Sequence, residues 1–274
     1  ARSAGAIASS YFRRLDTHAV HFKKTADLVT EVDYQIEQQL RNELGRVCPD
    51  VAFVGEESAP ESTATTGTEG GGGAGGSSAQ DGSAPAGAEK RFIADPLDGT
   101  TNFVHGIPFF SISIAYVEGD RIEAGIVYAP ELELMYSAER GNGAFCNGER
   151  ISASPAASLS EAVIATGFAS LRKETGPDNL SLFNYLLPRV RGIRRFGSAA
   201  VDFCYVAEGR FDLFWEYGLD DWDIAAGALI AQEAGARVTT LSGSEQILGA
   251  HEVLAAHPKL HDEFLRLIAS RPET

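Results

Sequence analysis

The stretch Asp95, Pro96, Leu97, Asp98, Gly99, Thr100, Thr101 places two carboxylates three residues apart, followed by a glycine and two hydroxyls. Carboxylate oxygens are hard ligands, and two of them on one short, Pro-stiffened turn can point at a single divalent cation or at a close pair. Gly99 lets the backbone approach a ligand closely. A helix opening near Thr100 would leave the N–H groups of Gly99, Thr100 and Thr101 without intrahelical partners, and such a terminus holds phosphate. Cation and phosphate sites would then adjoin, as metal-assisted phosphoryl chemistry requires. The same residues also suit a plain capped turn, with Asp98 as an N-cap and Asp95 closing an Asx-turn. Other acids bear on the choice: Glu56 and Glu57 end the strand-like VAFVG, and Asp223 opens a helix beside Trp222. Strand ends and helix starts are where open α/β architectures expose functional side chains. Adjacent strand residues face opposite ways, so one glutamate should face the site, and Glu56 is expected to be that one.

The elements that must position these residues alternate along the chain. Val32, Ile36, Leu40 and Leu44 recur every four residues, predicting a helix whose start is signalled by Thr30 and Asp33. Phe92 to Ala94 predicts a buried strand leading into the Asp95 turn. SISIAYV and IEAGIVYAP around GDR read as a hairpin, which ELELMYSA continues as a sheet. Beyond residue 160, AVIATG predicts a strand, LSLFNYLLPRV and SAAVDFCYVAEG two helices, and FDLFWEY a strand. Asp223 opens the helix DIAAGALIAQEAG, which Gly235 caps; strands RVTTL and EVLAA and a helix from Pro258 follow. Helices and strands mixed in both halves argue for sheets layered with helices in a single domain of two lobes, about 1–155 and 156–274.

Residues 59–90 break the composition, with no aromatic residue and no Val, Ile, Leu or Met. Such a segment buries no core, and its Gly/Ser richness predicts a flexible surface insertion beside Glu56 and Glu57. The whole chain, 44% hydrophobic and 22% charged over 274 residues, excludes disordered, collagenous and small disulfide-scaffold classes. Lys plus Arg is 23 against 38 Asp plus Glu, a formal charge of −15, which disfavours nucleic acid and anionic membrane as partners. Cys48, Cys146 and Cys204 are too scattered for a disulfide framework or a zinc site. No apolar run reaches membrane-span length and the N-terminal ARSAGAIASSYFRRL is too short in apolar residues for a signal peptide, so the expected compartment is the cytoplasm.

GEES, DPLDGTTNF with VHGIPFFSISIAYVEGDRIEAGIVYAP, GAFCNGERI, RRFGSAAVDFCYVAEGRFDLFWE and WDIAAGALIAQEAGARV occur in this order along most of the chain. Together they resemble the inositol monophosphatase family. The resemblance implies an α+β fold, a five-layered αβαβα sandwich, usually homodimeric, that hydrolyses small phosphate monoesters with Mg2+ and is often lithium-sensitive. It makes Glu56, Asp95, Asp98 and Asp223 side-chain metal ligands, with the Leu97 carbonyl as a further ligand, for two or three Mg2+ ions. It also implies that Thr100 and Glu56 orient the attacking water, that Asp33 hydrogen-bonds Thr100, and that the Gly99 and Thr100 amides hold the phosphate. Lys24 lies near the family's upstream basic position, with a spacing short by about one residue, which leaves it and Lys23 without a firm role.

Four ligand carboxylates bring about −4, up to three Mg2+ about +6 and a phosphomonoester about −2, so the loaded site is near neutral. The expected chemistry is in-line attack on phosphorus by a metal-activated water, with no protein nucleophile. His105 follows the loop and reads as a surface or capping histidine rather than a general acid. Myo-inositol monophosphate is the expected substrate, on the TTNF continuation and on Glu216, Ser198 and Ala199, which match the family's substrate-binding positions. Arg172, Lys173, Arg191, Arg194 and Arg195 would instead suit a second phosphate. The alternatives are fructose-1,6-bisphosphatase, histidinol-phosphate or phosphoadenosine-phosphate phosphatase activity, or a non-catalytic metal- or phosphosugar-binding scaffold.

Overall fold

In the computed structural model the described residues are 1–14, 20–24, 27–59, 89–154, 158–173, 177 and 179–271. Almost all of the 59–90 insertion, and with it the expectation of flexibility there, lies outside them. Helices α1 (Arg2–Tyr11) and α2 (Glu31–Val47) flank a small hairpin of β1 (Val20–Lys24) and β2 (Asp27–Thr30). Next come β3 (Ala52–Gly55), β4 (Lys90–Asp98), α3 (Thr100–Val104), β5 (Ser111–Glu118), β6 (Arg121–Ala129), β7 (Leu134–Glu139), β8 (Gly143–Cys146) and β9 (Glu149–Arg150). These seven strands form one sheet in chain order, with β3 and β4 parallel and every later pair antiparallel.

The remainder comprises β10 (Val163–Thr166), α4 (Ala169–Lys173), α5 (Leu180–Leu186), β11 (Gly192–Arg194), α6 (Ala199–Ala207), β12 (Leu213–Tyr217), α7 (Asp221–Glu233), β13 (Arg237–Thr239), β14 (Glu252–Ala256) and α8 (Pro258–Ala269). Its five strands form a second, mixed sheet in the order β11-β10-β12-β14-β13.

Three apolar cores separate five layers. The outermost core on one side joins Ala4, Ala8 and Phe12 of the α1 region and Val32, Ile36 and Leu40 of α2 to Ile112 and Ile114 of β5. The central core places α6 and α7 between the sheets, and the third packs Leu182, Leu186, Leu260 and Phe264 on the far face of β12. Strand alternation explains the sharing: Phe214 faces the central core, while its neighbours Leu213 and Trp215 face the third. The expected αβαβα sandwich is thus present. The central helices fit because they are rich in small residues. Gly125 on β6 lies so close to α7 that an added Cβ would stand 2.9 Å from the Ala226 carbonyl oxygen.

One irregularity sets up the site. Along β4, Ile93 faces the central core and Ala94 the α1/α2 core, so Asp95 turns toward the central layer and strict alternation would turn Asp98 away. Instead Asp95 pairs with Ser113 and Asp98 with Ser111, three steps on β4 against two on β5. This bulge at Pro96–Leu97 restores Asp98 to the face of Asp95. The expected free-standing turn is therefore the bulged end of a strand, tolerated at Pro96 because a bulge removes the need for its missing N–H.

Candidate active site

Four elements meet at the bulge. β4 ends in Asp95 and Asp98; α3 follows; α6 aims its N-terminus at Asp98; and α7 brings Asp223 in its first turn. One carboxylate oxygen from each of Asp95, Asp98 and Asp223 lies within 4.8 Å of the others. Asp95 and Asp98 are buried and Asp223 half-buried.

Each acid is fixed by hydrogen bonds. Asp95 Oδ1 accepts from the Leu97 amide at 2.8 Å, the Asx-type bond that the sequence allowed, so the turn chemistry and the cluster coexist. Asp98 accepts from the Ser198 hydroxyl at 2.6 Å and from the Ala199 and Ala200 amides at 3.2 and 2.9 Å. It thus sits on the positive end of α6 rather than capping α3, whose N-cap is Gly99 at φ +95°. Ser198 and Ala199, expected at the substrate, commit these donors to Asp98. Asp223 does not open α7: Asp220 is the N-cap, and Asp223 closes a capping box by accepting from the Asp220 amide at 2.8 Å. Three acids in DDWD made that start ambiguous.

Behind the cluster, Asp33 closes the same kind of box on α2. Its Oδ2 accepts from the Thr30 amide at 2.9 Å and the Thr30 hydroxyl at 2.5 Å. Its Oδ1 lies 3.2 Å from Thr100 Oγ1, which is also 3.0 Å from the Leu97 carbonyl. Glu56 follows the last residue of β3, in a turn, so the strand-alternation argument for it does not apply. Its amide donates to the Ala94 carbonyl at 3.2 Å. It lies outside the three-acid group, but its charge acts on both Asp95 and Asp33.

The electrostatics follow from crowding. Burial, then the charges of Glu56, Asp98 and Asp223, push Asp95 well above the carboxylate range. Burial and Asp223 raise Asp98 to about 7 against the opposing hydrogen bonds from Ser198, Ala200 and Ala199. Burial raises Asp33 to about 6, with Glu56 adding to the rise and the Thr30 and Thr100 bonds opposing it. Three converging oxygens that repel one another in a buried site are suited to a divalent cation, which replaces shared protons as the neutralising charge.

Glu216 is buried on β12 and accepts from the Ala169 amide at 3.1 Å; a Cβ at Gly167 would collide with its carboxylate. His105 is exposed at the C-cap of α3, and Arg191, Arg194 and Arg195 are exposed. The side chains of Lys23, Lys24, Arg172 and Lys173 lie outside the described residues. Sequence reasoning missed Ser111 and Ser113, although hydroxyls alternating with Ile112 and Ile114 were a period-two signal; Ser113 donates to the Trp222 carbonyl at 3.2 Å, tying β5 to α7. It also missed Asn179. That buried side chain donates to Thr166 Oγ1 and the Gly167 carbonyl, both at 2.7 Å, and accepts from Trp215 Nε1 at 2.6 Å, bracing the loop that holds Glu216.

A sequence model of the inositol monophosphatase family matches residues 1–273. The chain belongs to the inositol monophosphatase family. Within it, "Nus factor SuhB" of Pseudomonas aeruginosa is 39% identical over 98% of this chain and 92% of its own. An "Inositol-1-monophosphatase" of Rhizobium meliloti is 37% identical over the same shares. The crystal structure of the extragenic suppressor protein suhB from Bartonella henselae superposes with a TM-score of 0.81 at 35% identity, covering 98% of this chain and 95% of that one. The family and these relatives indicate a phosphatase with an acidic cluster suited to metal.

Proposed function

We propose that the protein hydrolyses small phosphate monoesters, myo-inositol monophosphate foremost, within one domain of two lobes (about 1–155 and 156–274) and with two or three Mg2+ ions. The observation that carries this is the convergence of Asp95, Asp98 and Asp223 to within 4.8 Å. Glu56 and the Leu97 carbonyl complete the ligand set. When bound, the cations supply charge neutralisation at the phosphate and a more acidic water.

The chain's own part is orientation. Thr100 Oγ1 has its proton engaged by Asp33 or by the Leu97 carbonyl, so its lone pairs are left to accept from a water and turn that water's oxygen toward phosphorus. Glu56 accepts the same water's other proton. The Gly99 and Thr100 amides at the start of α3 donate to phosphate oxygens. Ser198 and Ala199 orient Asp98, which leaves Glu216 to accept a polyol hydroxyl. Similarity does not choose the substrate, because relatives of nearly equal identity are named a Nus factor and an inositol-1-monophosphatase.

Phosphate release should be measured from inositol 1-phosphate, fructose 1,6-bisphosphate, histidinol phosphate and adenosine 3′,5′-bisphosphate, with Mg2+, with EDTA and with lithium. The expected outcome is Mg2+-dependent, lithium-inhibited turnover fastest on inositol 1-phosphate. Preference for another ester would keep the site and change the substrate, and no release from any would leave a binding scaffold.

A further inference from the structure

Helix α2 carries more than Asp33 toward the site. Asp33, Glu37 and Arg41 recur every four residues and so share one face of the helix. Asp33 supports Thr100. Glu37, only 3% exposed, accepts the Glu57 amide on Oε2 at 2.8 Å. Arg41 donates to Ser58 Oγ at 2.6 Å, lies 3.6 Å from Glu37 Oε1, and has its guanidinium 4.7 Å from the centre of the Phe53 ring. Gly55, the last residue of β3, makes room for this arrangement, since a Cβ there would collide with the Glu37 carboxylate. The turn Glu56–Ser58 is thus gripped on one side by Glu37 and Arg41 and on the other by the Glu56 amide bonded to β4.

We propose that Glu37, assisted by Arg41, is a positioning residue that fixes Glu56 in place as a metal ligand. The proposal rests on the reading of Glu56 as a ligand given above. Glu37 belongs to neither the three-acid group nor the residues assigned to substrate. It acts through the Glu57 amide, one peptide from Glu56, so its removal should loosen cation binding while leaving Asp95, Asp98 and Asp223 in place.

The test is calorimetric titration of Mg2+ into full-length wild type, Glu37→Ala, Glu37→Gln and Arg41→Ala, each also in a Glu56→Gln background, with phosphate release measured against Mg2+ concentration. Removing such a supporting group should weaken Mg2+ binding about tenfold, with kcat at saturating Mg2+ falling less than it does in Glu56→Gln. Arg41→Ala should lose less. Glu37→Gln, whose amide oxygen still accepts from Glu57, should recover most of the affinity. With Glu56 already replaced, Glu37→Ala should add little, the non-additivity expected of residues acting through one contact. Wild-type Mg2+ affinity in Glu37→Ala, or an equal loss in the Glu56→Gln background, overturns the proposal while leaving the metal site standing. A wild-type protein that binds no Mg2+ overturns both.

Discussion

Asp33 and Asp223 occupy the same local position in two helices. Each is the third helical residue of a capping box, each accepts the backbone amide of its N-cap, and each lies in the first turn, where the helix dipole favours negative charge. Their surroundings differ. The other oxygen of Asp33 meets the Thr100 hydroxyl, whereas Asp223 offers an oxygen to a cluster with Asp95 and Asp98. A capping box therefore delivers a carboxylate to a place, and the neighbour at that place decides whether it supports another side chain or binds a cation.

Replacing both acids by asparagine is the most direct way to break the comparison, because the amide oxygen keeps the cap. Asp223→Asn should lower Mg2+-dependent turnover at least about a hundredfold and weaken Mg2+ binding, whereas Asp33→Asn should lower kcat about tenfold with a smaller change in Mg2+ affinity. Steady-state kinetics across a Mg2+ series would check this, and equal Mg2+ shifts in the two variants would erase the distinction.

Proton linkage sharpens the same contrast. Asp33 and Asp98 have folded-state values raised to about 6 and about 7. The folded protein therefore holds protons that the unfolded chain has released. The stability this gives is fully present below about 4, is lost progressively as pH rises, and is gone once pH has passed through the folded values. Metal-free protein should thus melt at lower temperature at pH 8 than at pH 5, and Mg2+ should restore the difference at pH 8 while adding little at pH 5. Asp33→Asn should remove the part of the pH profile that ends near 6. Asp223→Asn should flatten the part that ends near 7, because the Asp223 charge helps to raise Asp98.

The smallest effect concerns the caps. Thr30 is buried and its hydroxyl both donates to Asp33 and accepts from the Val32 amide at 3.1 Å, whereas Asp220 is half-buried. Thr30→Ala should cost about 1–2 kcal/mol in urea unfolding and Asp220→Ala about 1 kcal/mol.

The sequence was legible where one local rule decides the outcome. Apolar spacing from Val32 to Leu40, the Thr30–Asp33 box and the hairpin around GDR are short-range patterns, and all three are present. Asp95, Asp98 and Asp223 were recognisable as ligand candidates from residue type and resemblance, and the structure brings them together. The bulge at Pro96–Leu97 was hidden, because it is visible only in the pairing of β4 with β5. The role of Ser198 and Ala199 in holding Asp98 depends on contacts across 100 and 101 residues of chain, which no periodicity encodes. Asp202 shows the same blindness: it reads as an ordinary polar position on α6, yet it is 1% exposed, and burial together with the Glu216 and Asp98 charges raises it well above the carboxylate range.

The bond between Asp98 and the α6 N-terminus also bears on how the molecule comes apart. It joins the last residue of β4, in the seven-stranded sheet, to a helix packed against both sheets, so the acidic nest is complete only after β4, α6 and α7 have come together. Contacts of such long sequence separation carry a large loop-closure cost, and an interaction absent from the folding transition state acts on the unfolding rate alone. A divalent cation recognising the finished nest would leave the speed of folding unchanged and lengthen the lifetime of the folded chain. The ion that serves chemistry would then also act as a latch whose occupancy sets how long the folded chain persists.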